Sequence, residues 1–266
     1  MQDKNTTGMD RKENCLVFAT HKLTDEILEY LAYLKKETAE VMDLLVLYDN
    51  AAHPVCPEEY PWLDFHLFDS RKLEGFFHQG ERLLPNPLLA LMDCAERHPY
   101  AHYLLMENDI VLEGDFNRFA RIINGESRVD YIHIASDAEG GRWNHWPVKF
   151  IRDNPFGELY FSWCQLFYVS HRYLEALHDF MQGNGSFYYE FLLPTMAYNR
   201  HFIVRQFENF GYRFDLSWGP AEIYERKYAC EHMPNTFYHP IKNLKLANDR
   251  LDHNFQKLTT RRSHSL

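Results

Sequence analysis

Cysteine is scarce in this chain of 266 residues, with five widely spaced copies. No two of them form a C-x-x-C pair, so we expect neither a structural zinc site nor a disulfide framework. Reduced thiols are typical of a cytoplasmic protein. The first residues are polar and include no apolar segment, so we expect a flexible leader over residues 1–14 instead of a secretory signal.

An excess of basic charge is also missing, because 28 Lys and Arg face 38 Asp and Glu, which gives a net charge of −10. Binding along a nucleic-acid backbone needs a basic face that displaces counterions, so we expect no nucleic-acid partner. A small nucleotide needs only a local basic pocket. No apolar run approaches the ~18 residues of a membrane span. We expect a cytoplasmic protein, and peripheral contact with the inner membrane stays open.

Several common catalytic signatures are absent as well. The sequence has no P-loop, no G-x-G-x-x-G, no G-x-S-x-G and no H-E-x-x-H. These absences disfavour the usual nucleotide hydrolases, dehydrogenases, α/β-hydrolases and zinc proteases. Aromatic residues are abundant instead, with 20 Phe, 17 Tyr and 5 Trp. Aromatic rings fill cores and also stack on sugars and bases, so they favour a carbohydrate or nucleotide ligand.

The beginning of the chain predicts a βαβ unit. Apolar runs at 15–20 and 43–48 are typical of buried strands, and Thr24 is placed to cap a helix over 25–36. Such a unit forms a parallel sheet whose strands end at the same edge. Further strands are expected at 131–135, 160–169 and 202–207, and helices at 87–97, 116–123 and 173–181.

Polar residues follow these strands where an α/β sheet binds its ligands. Thr20 and His21 end the first strand, Asp49 ends the second, and Arg82 stands in a loop. We expect all four to contact a nucleotide.

Two carboxylates follow the buried strand at 103–106. Glu107 and Asp109 are two residues apart, so they share one side of the chain if it stays extended. Hard oxygen ligands at a strand end suit Mg²⁺ or Mn²⁺. The alternative is an ordinary strand-to-turn junction with solvated acids.

Two other segments hold candidate catalytic acids. Glu190 stands among aromatic and aliphatic residues over 187–195, where burial raises a carboxyl pKa and favours a general base. A hydrogen-bonded or helix-capping structural role is the alternative. Asp137 begins a tryptophan-rich loop over 137–154, which is typical of a lid or acceptor platform, although the tryptophans could equally cover the core.

Four of these motifs, taken in order, resemble those of bacterial glycosyltransferases of the GT-A type. The motifs are E-x-D-I at 107–110, G-D-F at 114–116, E-x-x-x-P-T at 190–195 and H-P-x-K at 239–242. In the family the first is commonly E-x-D-V, an aromatic often stands at the position of Asn108, and Trp is common at that of Phe116. Neither of the last two differences removes a proposed ligand. The resemblance covers about residues 15 to 245.

The resemblance implies an α/β fold that is GT-A-like, with a Rossmann-like nucleotide-binding half and a mixed, mostly parallel central sheet flanked by helices. We expect one domain over residues 15–245 and a C-terminal helix or tail over 246–266. In such enzymes acidic residues hold Mn²⁺ or Mg²⁺ on the donor diphosphate. Asp109 and Glu107 are the implied metal ligands, His239 is a late metal or phosphate ligand, and Lys242 neutralises diphosphate charge. A loop histidine without chemistry is the alternative for His239.

The implied activity is transfer of a sugar from a nucleotide-sugar donor to a hydroxyl of a glycan acceptor in surface polysaccharide biosynthesis. A UDP-sugar is the donor that we expect before other nucleotide sugars. Glu190 is the implied base of an inverting transfer, and Asp137 is its competitor. A sugar-nucleotidyltransferase is a second hypothesis, disfavoured because no glycine-rich phosphate loop follows the first strand. A non-catalytic carbohydrate-binding module is a third.

Overall fold

Helices cover both faces of a seven-stranded sheet in the computed structural model of this protein. The structure describes residues 12–72, 78–79, 82–83, 87–135, 154–183, 188–216 and 219–250. The strands are β1 (Asn14–Thr20), β2 (Met42–Asp49), β3 (Asp64–Phe68), β4 (His78–Gln79), β5 (Arg82–Leu83), β6 (His102–Glu107), β7 (Val111–Glu113), β8 (Tyr131–His133), β9 (Leu166–Ser170), β10 (Val204–Gln206), β11 (Arg213–Leu216) and β12 (Thr236–His239). The helices are α1 (Asp25–Thr38), α2 (Pro87–Arg97), α3 (Phe116–Asn124), α4 (His171–Gly183), α5 (Tyr189–Asn199) and α6 (Ala221–Cys230). Residues 244–250 are also helical, and no helix in these ranges is long and apolar enough to cross a membrane.

The order of the central sheet is β10-β8-β9-β6-β1-β2-β3. Neighbouring strands from β6 to β3 are parallel, and so are β8 and β10. β9 lies between β6 and β8 and is antiparallel to both. All of these strands except β9 therefore end at the same edge. The predicted α/β class with a mixed, mostly parallel sheet is confirmed.

The first βαβ unit forms as the sequence predicted. Alternate residues of β1 enter different cores, Leu16 on one face of the sheet and Val17 on the other, so the strand is buried on both sides. Thr24 caps α1, because its hydroxyl accepts the N–H of Ile27 at 3.4 Å. β2 then pairs in parallel with β1 along its length, which brings the ends of both strands together.

A second sheet of three strands, in the order β11-β12-β7, ties distant parts of the chain to each other. β7 follows the acids at the end of β6 directly, and β12 pairs antiparallel with it, Val111 opposite Tyr238. This pairing brings the end of β12 to the acids.

The predicted strand over 160–169 is shorter than expected and begins at Leu166. The main chain of Tyr160 is paired with a helix instead of a strand, because its N–H donates to Thr195 Oγ1 at 2.8 Å and its carbonyl accepts that hydroxyl at 3.1 Å. With the hydrogen bonds of Tyr160 made to α5, the chain does not extend the sheet here.

Two other predicted strands are also shorter. The strand predicted over 131–135 ends at His133, and Ala135 donates its N–H to the carboxylate of Glu208 at 3.0 Å. The strand predicted over 202–207 is limited to β10, since a 3-10 helix begins at Phe207. The segment that begins at Phe207 thus limits both strands. It continues the chain after β10 as a 3-10 helix, and its Glu208 accepts the N–H of Ala135.

His133 makes stability depend on pH. Burial lowers its pKa from 6.5 to about 4, and a hydrogen bond to the carbonyl of Ile134 offsets this only in part. Between these pH values the unfolded chain binds a proton that the folded chain does not, so stability falls as pH drops from 6.5 to 4. We expect His133→Gln to flatten this fall by about 2 to 3 kcal/mol.

Urea unfolding of the wild type and the variant at a series of pH values measures the difference. His53→Gln is the matched control, because it makes the same substitution at an exposed histidine and should keep the fall in stability that we assign to His133. Parallel pH profiles for the wild type and His133→Gln would contradict the assignment.

Candidate functional site

The turn after β6 presents the two predicted acidic ligands. Glu107 donates its N–H to the carbonyl of Gln165 at 2.9 Å, and Ile110 donates back to the carbonyl of Glu107 at 3.3 Å. The chain therefore turns through Asn108 and Asp109 and does not stay extended. The turn, and not the alternation of an extended strand, sets where the two carboxylates lie.

His239, at the end of β12, completes a cluster with these acids. Its Nε2 lies 3.3 Å from Asp109 Oδ1 and 3.8 Å from Glu107 Oε2. One ligand atom of each residue lies within 4.8 Å of the others, and no second group of this kind occurs among the residues that the structure describes. The side chains of Asp109 and His239 are 6% and 8% exposed, whereas that of Glu107 is 26% exposed. The cluster is thus a buried acid–imidazole pair with a more accessible second acid.

The chemistry of this donor set fits a divalent cation. Two carboxylate oxygens and one imidazole nitrogen suit Mn²⁺ better than Mg²⁺, which is usually bound by oxygen alone. Nε2 is the nitrogen of His239 that faces the acids. The other ring nitrogen, Nδ1, is buried and has no hydrogen-bond partner in the described part of the chain. These three residues could hold the metal that the sequence predicted.

Lys242 adds a positive charge to the same cluster. The N–H of Ile241 donates to the carbonyl of Asp109 at 2.8 Å, which fixes the segment after β12 against the turn after β6. The ammonium group of Lys242 then forms an ion pair with Asp109 Oδ2. The H-P-I-K motif is therefore anchored by its backbone to the aspartate that two of its side chains contact.

The two acids differ in their proton affinity. Burial raises the pKa of Glu107 to about 7. The negative charge of Asp109 also raises this pKa, and its effect is larger than the lowering caused by the charge of either His239 or Lys242. Burial also raises the pKa of Asp109, but hydrogen bonds and charges from His239 and Lys242 outweigh it and hold the value at about 2. Asp109 is the permanent anion of the site.

A cavity of about 280 Å³ opens beside the cluster at the ends of β1, β2 and β6. It brings together six predicted site residues, which are Thr20, His21, Asp49, Glu107, Asp109 and Lys242. Ala19, Leu47, Phe68 and Asn108 complete its lining. The structure therefore gathers the predicted strand-end residues around one cavity, at the edge where parallel sheets bind ligands.

Two of the lining residues also shape the loops around the cavity. The hydroxyl of Thr20 donates to the carbonyl of Lys22 at 2.9 Å, which closes the turn after β1. Asp49 Oδ1 accepts the N–H groups of Ala51 and Ser70 at 3.0 and 3.1 Å, so it joins the ends of β2 and β3. These hydrogen bonds fix the rim of the cavity.

A larger cavity of about 630 Å³ lies between α2 and α4. Its lining includes Leu174, Met92 and Glu96, and it shares no residue with the lining of the smaller cavity. It contains none of the clustered acids, so size alone does not identify the site. We assign the site to the smaller cavity because its charged groups converge.

Glu190 does not line the cavity of about 280 Å³. It is fully buried on α5, and Gln165 Nε2 donates to its Oε1 at 3.5 Å, while its Oε2 has no hydrogen-bond partner among the described residues. Burial, followed by the charge of Glu107, raises the pKa of Glu190 to about 8. Glu190 is thus coupled electrostatically to the cluster without sharing its cavity.

Gln165 is the residue of this region that the sequence did not reveal. Its carbonyl accepts from Glu107 and its side-chain amide donates to Glu190, so it connects the two acids. No local pattern marks it, because both contacts depend on the tertiary packing of β6, β9 and α5.

Two predicted site residues lie outside this description. The backbone of Arg82 lies in β5, but its side chain is outside the described residues, and so is Asp137 with the tryptophan-rich loop.

The sequence matches no protein-family model and no curated protein. Solved structures that it resembles include galactosyltransferase LgtC in complex with donor and acceptor sugar analogues, at a TM-score of 0.48 and 8% identity over 83% of this chain and 79% of that one. Mouse xyloside xylosyltransferase 1 aligns at a TM-score of 0.46 and 10% identity, over 87% of this chain and 99% of that one. A cytidylyltransferase from Leptospira borgpetersenii aligns at 0.39 and 10%, over 74% and 76%. Likenesses this distant identify no substrate and no reaction for this chain.

Proposed function

We propose that this protein is a metal-dependent glycosyltransferase that moves a sugar from a nucleotide-sugar donor to a hydroxyl of a glycan acceptor. The observation that carries the proposal is the cluster of Glu107, Asp109 and His239, in which one ligand atom of each residue lies within 4.8 Å of the others. The cluster lies at the edge of the sheet where the parallel strands end. Such a donor set beside a cavity would suit a divalent cation that neutralises the charge of a diphosphate. Surface polysaccharide biosynthesis is the process in which we place this reaction.

The residues of the cavity would divide the work. Glu107, Asp109 and His239 would hold Mn²⁺ or Mg²⁺, which when bound neutralises charge on the leaving nucleoside diphosphate. Lys242 would donate to diphosphate oxygens as a second, point-like cation. His21, next to Thr20 on the rim, would contact the nucleoside.

Glu190 is our proposed general base for an inverting transfer, and Asp137 is the competing residue. Two features support Glu190: a raised pKa, and a carboxylate oxygen without a partner in the described structure. A base of pKa near the working pH is efficient because it is partly ionised and still accepts a proton well.

Thermal unfolding with nucleotides tests the proposal. Mn²⁺ together with UDP, at about 100 times the dissociation constant, should stabilise the native state by about 2.7 kcal/mol and raise the unfolding temperature by roughly 5 °C or more. Neither ligand alone should reach this shift. The absence of any shift across UDP, GDP, CMP and their sugar derivatives, with and without Mn²⁺, would refute the proposed donor site.

A sugar-nucleotidyltransferase is the second candidate, and the burial of Glu190 favours it. Attack by a sugar phosphate needs no general base, because the attacking oxygen is already anionic. This reaction would therefore not require Glu190, which is fully buried and does not line the cavity. The products separate the two reactions. Pyrophosphate formed from a nucleoside triphosphate would support this candidate, whereas a free nucleoside diphosphate formed from a nucleotide sugar supports glycosyl transfer.

A further inference from the structure

Both oxygens of the Asp109 carboxylate face a nitrogen atom. Oδ1 lies 3.3 Å from His239 Nε2, and Oδ2 is paired with the ammonium group of Lys242. The carboxylate is only 6% exposed, so few other groups can reach it. Lys242 therefore stands where it interferes with any cation that uses Asp109.

A divalent ion and an ammonium group that contact the same carboxylate repel each other strongly, because the partly buried site screens their charges less than water does. Without Lys242, the ionised carboxylate of Asp109 would present its full negative charge to the ion. With Lys242 in place, this charge is already compensated. Metal binding to the site alone is thus weakened by the lysine.

Lys242 is nevertheless free to leave. Its side chain is 60% exposed and lines the cavity, whereas its backbone is held through the hydrogen bond from Ile241 to Asp109. A lysine has a long, flexible stem and a point charge, so its head can move without moving the main chain. A diphosphate in the cavity would offer it a more strongly charged partner than one carboxylate.

We propose that Lys242 acts as a placeholder cation on Asp109 and makes the binding of the metal and of a nucleoside diphosphate cooperative. This inference rests on the proposed metal site. The diphosphate draws Lys242 away from Asp109, and the freed oxygen binds the metal more tightly. Because such coupling is reciprocal, the metal also raises the affinity for the diphosphate. Lys242 thus favours loading of the two together over loading of metal alone.

The test compares Mn²⁺ binding in the wild type and in Lys242→Met, followed by the electron paramagnetic resonance signal of free Mn²⁺, without and with UDP. We expect Lys242→Met to bind Mn²⁺ alone about tenfold more tightly than the wild type, a factor typical of coupled sites. UDP should then improve Mn²⁺ binding by a smaller factor in the variant than in the wild type. A merely structural lysine would produce neither change.

Two further variants control the comparison. Lys242→Arg keeps the charge and should bind Mn²⁺ alone as the wild type does. Lys227→Met removes another lysine that pairs with an aspartate, Asp215 at 2.9 Å, away from the cavity, and should leave Mn²⁺ binding unchanged.

Equal or weaker Mn²⁺ binding by Lys242→Met, with a wild type that binds Mn²⁺, would overturn the placeholder role and leave the proposed metal site intact. Failure of the wild type and all three variants to bind Mn²⁺ would refute the metal site itself, and the inference with it.

Discussion

Asp109→Asn is expected to abolish Mn²⁺-dependent donor binding and to reduce sugar transfer by about a thousandfold or more. Asp109 is the anion on which the site depends, since its pKa of about 2 keeps it ionised while that of Glu107 is about 7. Asparagine has nearly the same shape but no charge, and its amide nitrogen would repel either a cation or the ammonium group of Lys242. The substitution therefore removes both a proposed metal ligand and the partner of the lysine.

Calorimetric titration with Mn²⁺ and a nucleotide sugar measures this loss. The variant should still unfold cooperatively, because an ion pair to a largely exposed lysine contributes only about 1 kcal/mol or less. Asp215→Asn is the matched control, since Asp215 also pairs with a lysine but does not line the cavity. Unchanged donor affinity in a folded Asp109→Asn protein would remove the metal centre from the mechanism.

Glu190→Gln is expected to lower kcat by about 10² to 10⁴, with little change in the affinity for metal and donor. The two side chains have the same size, so the contact from Gln165 Nε2 can be kept, with the glutamine oxygen as acceptor. What the variant loses is the ability to accept the proton of the acceptor hydroxyl. The effect should therefore appear in the chemical step and not in binding.

Steady-state kinetics with a nucleotide-sugar donor, combined with Mn²⁺ titration of the same sample, separates these effects. Glu222→Gln, an exposed glutamate on α6, is the control and should match the wild type. Full turnover in Glu190→Gln would exclude this residue as the base, and Asp137→Asn would then be the variant to measure. No transfer by the wild type would refute the glycosyltransferase proposal itself.

Much of the cavity was predictable from the sequence, because buried parallel strands have a local sequence signal, a continuous apolar run. Apolar runs covered on both faces predicted β1, β2 and β6, and strands of a βαβ unit end at one edge. The polar residues after those runs, Thr20, Asp49 and Glu107 among them, do lie together. His239 and Lys242 were found only through the order of motifs, since nothing in their own segment indicates the acids that they contact.

The rest depended on contacts that local pattern does not encode. The direction of β9, antiparallel between two parallel neighbours, follows from how the chain returns to the sheet and not from its residues. The segment that holds Glu190 gave no helical period because α5 is buried on nearly all sides, even at Pro194. For the same reason the role of Gln165 between two acids became visible only in three dimensions.

The pairing of β7 with β12 also has a consequence for biosynthesis. Asp109 and Lys242 are 133 residues apart, and His239 reaches the acids only when β12 has paired with β7. A nascent chain that has emerged as far as Gln206 contains every strand of the seven-stranded sheet but lacks the third residue of the candidate metal centre. Chains released at that point would therefore contain two of the three candidate ligands, Glu107 and Asp109, and the candidate centre is completed only after His239 has been added.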